Sequence, residues 1–218
     1  MKINILTLFP EYFETPLATS ILKRAQASGL VTFNVINIRD YATDKHQVTD
    51  DRPYGGGAGM VMKVEPIYAA LQSLGVSKAQ SNSKILLTSA KGKLFNQQKA
   101  QEYSQLQELT IICGHYEGVD ERVADHLIDE EIRIGDYVLT GGEPAAAVIV
   151  DAVSRLIPGV LGNEESNLNE SHSEPGVLGY PVYTRPEEFN GWTIPEVLLT
   201  GDHKMIEEWR EKQKKKDL

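Results

Sequence analysis

The sequence predicts an α/β protein: a mostly parallel sheet with helices on both faces, followed by a small, mainly helical C-terminal unit. Three observations predict it. Five short apolar runs alternate with helix-patterned stretches, the signature of strands joined by crossover helices. Two of those runs end in glycine-punctuated loops that lead straight into helical patterns. After Val160 the apolar periodicity gives way to Asn, Glu and Ser.

The first apolar run, 3–8, is too short to span a membrane, and Glu11 and Glu14 follow without a small-residue cleavage site. It reads as a buried strand. A helix is expected over 11–27, closed by Gly29, and a strand over 31–38. A helix over 65–74 precedes an exposed Ser/Asn/Gln-rich loop at 77–83. Strands at 84–88, 109–113 and 131–134 then alternate with helices at 96–103, 120–127 and 143–156. Three regions follow from this pattern. Residues 1–160 are the main domain and 161–176 a linker that stays mobile until something binds it. Residues 177–218 are a unit too small for an independent core, expected to pack on the main domain or on a second subunit. Its last helix carries Met205, Ile206 and Trp209 on one face and ends in the basic cluster Lys212, Lys214, Lys215 and Lys216.

At 218 residues, with 41% hydrophobic and 24% charged side chains, the chain has the composition of a soluble globular protein. Its single cysteine, Cys113, excludes an intrachain disulfide and a four-cysteine zinc site, and points to a reducing, cytoplasmic compartment. The net charge of −9 is uneven: residues 1–60 are neutral, 61–160 carry −4, 161–200 carry −6 and 201–218 carry +1. Net charge bounds non-specific attraction and not a local site. Loose nucleic-acid binding is excluded, whereas a small basic patch gripping a few phosphates is not.

The chemistry concentrates in three glycine-bearing segments. Cys113-Gly114-His115-Tyr116-Glu117-Gly118-Val119-Asp120-Glu121-Arg122 and Ile134-Gly135-Asp136-Tyr137-Val138-Leu139-Thr140-Gly141-Gly142-Glu143 sit at strand ends. Glycines there let backbone amides and carbonyls approach a flat ligand closely. Neither loop has the Lys-Ser/Thr ending of a phosphate-binding loop, so the pair suggests a cofactor read by backbone contacts. Glu117 and Asp136 are either solvated loop carboxylates or partners for an amine or a sulfonium cation. The third segment, Asp50-Asp51-Arg52-Pro53-Tyr54-Gly55-Gly56-Gly57-Ala58-Gly59-Met60, lacks the spacing of a dinucleotide fingerprint and reads as a functional loop or as flexible surface. Arg155, late in the 143–156 helix, meets the helix macrodipole or serves a site. The histidines are scattered without metal-ligand spacing, so no metal site is assigned within the protein.

Taken together with Thr7-Leu8-Phe9-Pro10-Glu11, Ser154-Arg155-Leu156-Ile157-Pro158-Gly159-Val160-Leu161 and Tyr183-Thr184-Arg185-Pro186, these segments give the chain a resemblance. Over nearly its whole length it resembles the bacterial tRNA (guanine-37-N1)-methyltransferases, the TrmD family of the knotted SPOUT class. The resemblance implies a deep trefoil knot and S-adenosyl-L-methionine as methyl donor. It also implies a homodimer with shared active sites, tRNA as substrate with guanosine 37 as acceptor, and Mg2+ supporting the reaction. Donor contacts are implied at Leu87, Thr88, Ser89, Gly114, Tyr116, Glu117, Ile134, Gly135, Asp136, Tyr137, Val138, Leu139, Gly141 and Gly142.

The N1 of guanine carries a proton, so a base must remove it before that nitrogen can accept a methyl group. Charge then builds on O6, where a fixed cation stabilises it. The resemblance implies Arg155 for the cation and Glu170 for the base. The family's base is an aspartate, so Glu170 is a departure that adds one methylene; Glu164 and Glu165 are the reserve candidates. The family also continues into a longer helical C-terminal domain, for which the terminal lysines would partly compensate by contacting phosphates. Two other readings stand beside this one: a SPOUT methyltransferase for another RNA position, and a non-catalytic RNA-binding relative.

Overall fold

A computed structural model describes residues 1–162 and 170–216, which fall into two compact units, Met1–Gly162 and Asn163–Leu218. Within the expected linker, 163–169, with Glu164 and Glu165, lies outside the described residues.

In the first unit β1 (Lys2–Thr7) is buried from Ile3 onward, as a central strand covered on both faces must be. The expected helix over 11–27 is instead a 3-10 turn at Pro10–Phe13, α1 (Glu14–Leu17) and α2 (Ser20–Ala27). Pro16 has no N–H to return to Tyr12, and its ring crowds that carbonyl. Thr19 turns extended, and its hydroxyl donates to the Thr15 carbonyl at 2.7 Å. Next come β2 (Thr32–Asn37), the short strands β3 (Asp50–Asp51) and β4 (Val61–Met62), and α3 (Val64–Leu74). Gly75 stops α3 in the left-handed conformation, φ 68°. β5 (Ser83–Leu94), α4 (Gln97–Ser104), β6 (Glu108–Cys113), α5 (Glu121–His126), β7 (Glu130–Arg133) and α6 (Glu143–Ser154) complete the unit. Asn96 and Asp120 cap α4 and α5 through their side chains.

The strands form a parallel sheet in the order β2-β1-β6-β5-β7. Strand alternation sorts the core into two layers. Ile3, Ile5, Leu109, Ile111 and Cys113 pack with Ala146, Ile149, Val150 and Val153 of α6. Leu6, Leu87 and Ile112 face Ile67, Ala70 and Leu71 of α3 and Val123 of α5. At the amino ends of the strands a buried polar seam is satisfied internally. Asn34 donates to Asn4 at 2.9 Å, and Asn4 donates to Glu108 at 2.8 Å and Thr110 at 3.1 Å.

β5 runs well past the expected 84–88. It pairs with β7 in two stretches, with a register shift between Thr88 and Lys93. Gly92 lies in that shift, where a Cβ would collide with the Glu131 carbonyl carbon and the Ile132 nitrogen. Only glycine lets the two backbones approach so closely.

The second unit is mixed, with two short strand pairs and one main helix. β8 (Val177–Leu178) pairs antiparallel with β11 (Lys215–Lys216), and β9 (Glu188–Phe189) with β10 (Trp192–Thr193). α7 (His203–Gln213) is capped by Asp202. Its inward face is Ile206, Trp209, Arg210 and Gln213; Met205, expected on that face, is 51% exposed. The Arg210 guanidinium sits 5.0 Å from the Tyr180 ring centroid. Among the described residues no helix is long and apolar enough to cross a membrane.

At the β5–β7 edge Glu130 accepts from Lys84 at 2.8 Å and Lys99 at 2.6 Å, beside the buried Tyr103 ring. Burial opposes the Glu130 charge, but the two lysines outweigh it and hold the carboxyl below the usual range. A lowered folded-state pKa contributes stability above the unfolded value, 4.5, and loses it as pH falls through and below that value. Glu130→Gln should therefore lower urea stability near neutral pH by about 2 kcal/mol, the scale of hydrogen bonds to charged groups. The gap from wild type should narrow as pH falls from 4.5. A gap independent of pH would refute the assignment.

Candidate functional site

The carboxyl ends of β5, β6 and β7 lie side by side, and in an open parallel sheet ligands bind beyond such ends. Three segments leave there: 88–92, 114–120 and 134–142. One hydroxyl ties them. Thr88 Oγ1 donates to the Ile112 carbonyl at 3.2 Å and accepts from the Gly114 amide at 3.1 Å. The Gly142 amide donates to the Gly114 carbonyl at 2.7 Å, and His115 bridges antiparallel to Gly141. A Cβ on Gly142 would fall on the Thr88 hydroxyl, and one on Gly114 would lie 2.8 Å from the Thr88 carbonyl.

Between these segments is a cavity of about 440 Å3. Leu87, Thr88, Ser89, Gly114, Tyr116, Glu117, Ile134, Gly135, Tyr137, Val138, Leu139, Gly141 and Gly142 all line it. Asp136 does not: its carboxylate is 86% exposed and accepts from Arg133 Nε at 2.9 Å. Tyr116 holds φ 59°, a conformation costly for a non-glycine residue and typical of constrained sites. Tyr137 folds back over Gly135, whose missing side chain leaves room for the ring. Tyr116, Tyr137, Val138 and Leu139 form an exposed apolar rim.

The sequence reading passed over two further features of the walls. Lys91, from the irregular stretch of β5, pairs with Glu121 at 2.6 Å and reaches Glu131 at 3.8 Å. Beneath the cavity Glu143 is buried at the start of α6, where Thr7 Oγ1 donates to it at 2.7 Å. Its other oxygen lies 4.0 Å from His115 Nδ1, which is buried and has no hydrogen-bond partner among the described residues. The His115 ring is held between Phe9 and Tyr116, with centroids 4.9 and 4.8 Å away. Burial, reinforced by the Glu143 charge, pushes the Cys113 thiol well up, so it stays an inert neutral group.

Arg155 caps the carboxyl end of α6, half-buried, with its amide donating to the Asp151 carbonyl at 3.2 Å. Glu170 belongs to the second unit, and its carbonyl accepts from the Ser173 amide at 3.2 Å and hydroxyl at 2.8 Å. Among the described residues no group of three or more His, Cys, Asp or Glu could hold a metal ion.

Comparison with known proteins adds to this geometry. A family model described as tRNA (guanine-1)-methyltransferase matches residues 1–217. A curated relative from Carboxydothermus hydrogenoformans is 59% identical over 98% of the chain and 82% of its own length. Relatives from Geotalea uraniireducens and Dehalococcoides mccartyi are 55% and 54% identical, each over 98% of the chain and 85% of their own length. All three carry the name tRNA (guanine-N(1)-)-methyltransferase.

Gly142→Ala should destabilise the fold, because its Cβ has no space beside the Thr88 hydroxyl and the Gly114 amide. Overpacking of this kind costs about 1–3 kcal/mol. Gly162→Ala, which meets nothing within 4 Å, should stay within about 0.5 kcal/mol of wild type. Equal urea midpoints for the two variants would show that the cavity loops are not closed on Thr88.

Proposed function

The chain belongs to the tRNA (guanine-1)-methyltransferase family and is a methyltransferase; on that premise we propose the donor, the acceptor nucleotide and the residues that act on them. The donor is S-adenosylmethionine and the acceptor is N1 of guanosine 37 in tRNA. The observation that carries this reading is the cavity beyond β5–β7, whose walls include every expected donor contact except Asp136. Its volume falls in the range of about 300–1,000 Å3 typical of small-molecule sites. The glycines open backbone groups to the ligand, the apolar rim suits an adenine face, and Glu117 supplies a carboxylate for an amine or sulfonium cation. The donor-binding segments are read as a deep trefoil knot, a reading supported by the Gly142–Gly114 hydrogen bond and the His115–Gly141 bridge.

When bound, S-adenosylmethionine supplies an electrophilic methyl group on a sulfonium. The chain's part is to make guanine N1 a nucleophile. Glu170 takes the N1 proton, and Arg155 stabilises the charge that develops on O6. Backbone groups of 114 and 134–139 orient the donor, and the rim of Tyr116 and Tyr137 limits water. The enzyme acts as a cytoplasmic homodimer whose active sites draw on both subunits. A first unit with Val148 of α6 exposed and a second unit of few buried residues suit such an assembly. Mg2+ supports the reaction without a ligand set assigned on the protein.

Single-turnover methylation of a tRNA transcript, with guanosine 37 present or replaced, tests the acceptor; equal methylation of both transcripts would overturn it. Glu170→Gln should leave donor and tRNA binding nearly intact while slowing methyl transfer by about 10²–10⁴-fold, the contribution of a positioned base. Glu170→Asp should retain partial activity, below wild type and above the glutamine variant. Arg155→Ala should slow the chemical step while still binding donor, since its charge is needed in the transition state. A wild-type single-turnover rate for Glu170→Gln would remove it as the base. Sedimentation equilibrium at micromolar concentration should give about twice the 24.2 kDa chain mass, and a monomer there would overturn the shared site.

A further inference from the structure

Gly59 lies outside the cavity walls, yet its position bears on them. The segment 52–60 joins β3 to β4, which pair Asp50 with Met62 and Asp51 with Val61. The returning arm then runs along the loop after β6. The Glu117 amide donates to the Met60 carbonyl at 3.0 Å, the Met62 amide to Gly118 at 2.9 Å, and the Asp120 amide to Met62 at 2.9 Å. Met62 and Val119 form a parallel bridge between the two. None of residues 50–62 lines the cavity, but this ladder fixes the loop that does.

The glycines of this segment differ in what surrounds them. Gly55 and Gly56 have φ 84° and 81° and nothing within 4 Å of a built Cβ. Gly59 has a similar φ, 79°, but its missing side chain is replaced by Glu117. A Cβ there would collide with Glu117 Cγ and lie 2.6 Å from Oε1 and 2.9 Å from Cδ. The Glu117 carboxylate makes no hydrogen bond or ion pair among the described residues. The side chain is exposed and lies along the Gly59 α-carbon, in space that a side chain at 59 would take. A glutamate left to itself loses side-chain entropy when a ligand fixes it. A seat that fixes it in advance removes part of that cost from binding.

We propose that Gly59 is a positioning residue for the methyl donor: the bare α-carbon of the β3–β4 loop seats Glu117, so that its carboxylate faces the cavity ready for the donor's cationic end. The inference rests on the reading of Glu117 as a donor contact. It assigns the glycine-rich segment a part in donor binding that is exercised from outside the pocket, through one side chain.

The test is calorimetric titration of S-adenosylmethionine into four variants of the full chain. Glu117→Ala should weaken binding by about tenfold or more, and Gly59→Ala by about tenfold, the scale of a lost preorganised contact. Gly55→Ala carries the same left-handed strain in open space and should bind within about twofold of wild type. The double variant Gly59→Ala/Glu117→Ala should bind no more weakly than Glu117→Ala alone, the mark of residues acting through one contact. Full additivity, or Gly59→Ala binding as wild type does beside a weakened Glu117→Ala, overturns the seat while leaving the donor site standing. Wild-type binding by Glu117→Ala overturns the Glu117 contact itself, and the seat with it. Were Gly59→Ala not to fold, hydrogen exchange of the unaltered chain decides. Donor binding should slow exchange at the Glu117 and Met62 amides of the ladder, and no change at Met62 overturns the proposal.

Discussion

The Thr88 hydroxyl holds the site together. It sits where β5 stops pairing with β6, donates to the Ile112 carbonyl near the end of β6, and accepts from Gly114 where the loop after β6 begins. Gly142 closes over it and hands its amide to the Gly114 carbonyl. Two loops from different strands thus share one buried polar atom, and neither could approach it with a side chain of its own. The glycines at 114 and 142 are demanded by this closure before any ligand is considered. Once Gly142 is fixed, α6 must start at Glu143, and that carboxylate is driven under the loops, where Thr7 of β1 satisfies it. Leaving such a carboxylate without its donor would cost the desolvation of a buried group, about 1–3 kcal/mol or more. The cavity loops, the start of α6 and the end of β1 are consequently one mechanical unit.

The two ends of the sheet divide the work. At the amino ends, Asn34, Asn4, Glu108 and Thr110 bond one another, and Lys2 closes the series on Glu108 at 2.9 Å. Burial opposes the Glu108 charge there, but Lys2 and Asn4 outweigh it and hold the carboxyl below its usual range. Of the buried side-chain polar atoms described on the strands at that end, Ser83 Oγ alone lacks a partner. At the carboxyl ends the polar groups are only partly satisfied. Among the described residues His115 Nδ1 and the Glu117 carboxylate have no partner, and four apolar side chains stand exposed around the opening. A buried ring nitrogen and an exposed carboxylate two residues apart, both unpaired among the described residues beside an apolar rim, suit contact with another molecule.

Much of this was legible in the sequence because it is local. Strand periodicity placed the five strands of the main sheet, though not the short two-residue pairs, and the glycine loops announced close backbone approach where Gly114, Gly141 and Gly142 meet Thr88 and His115. The break in the first helix was legible too, since Pro16 forbids a continuous run, but the apolar spacing of Phe13, Leu17 and Leu22 masked it. What escaped depends on contacts between distant residues. Nothing near Gly92 tells that β7 will press against it, so β5 looked short. Thr7 and Glu143 are 136 positions apart, and Gly59 meets Glu117 only because β4 lies beside the loop after β6. The glycines around Asp136 gave no sign that Arg133, three residues earlier, would bond its carboxylate.

A chain of net charge −9 that acts on a polyanion must grip it locally, because its overall field opposes approach. Many of its cations are already engaged. Lys84 and Lys99 bond Glu130, Lys91 bonds Glu121, Arg122 bonds Asp120 and Arg133 bonds Asp136. These pairs cover the sheet edge and one side of the cavity, where they set geometry and offer little net charge to phosphate. By contrast Arg24, Arg52 and Lys63 form no ion pair among the described residues, and the segment 1–60 is neutral overall. Two of these three flank the glycine-rich segment, Arg52 just after β3 and Lys63 just after β4. Arg52 and Lys63 thus bracket the glycine-rich segment without an ion-pair partner among the described residues. On the proposed reading, this hairpin carries cations for the acceptor's phosphates as well as the glycine that packs against Glu117.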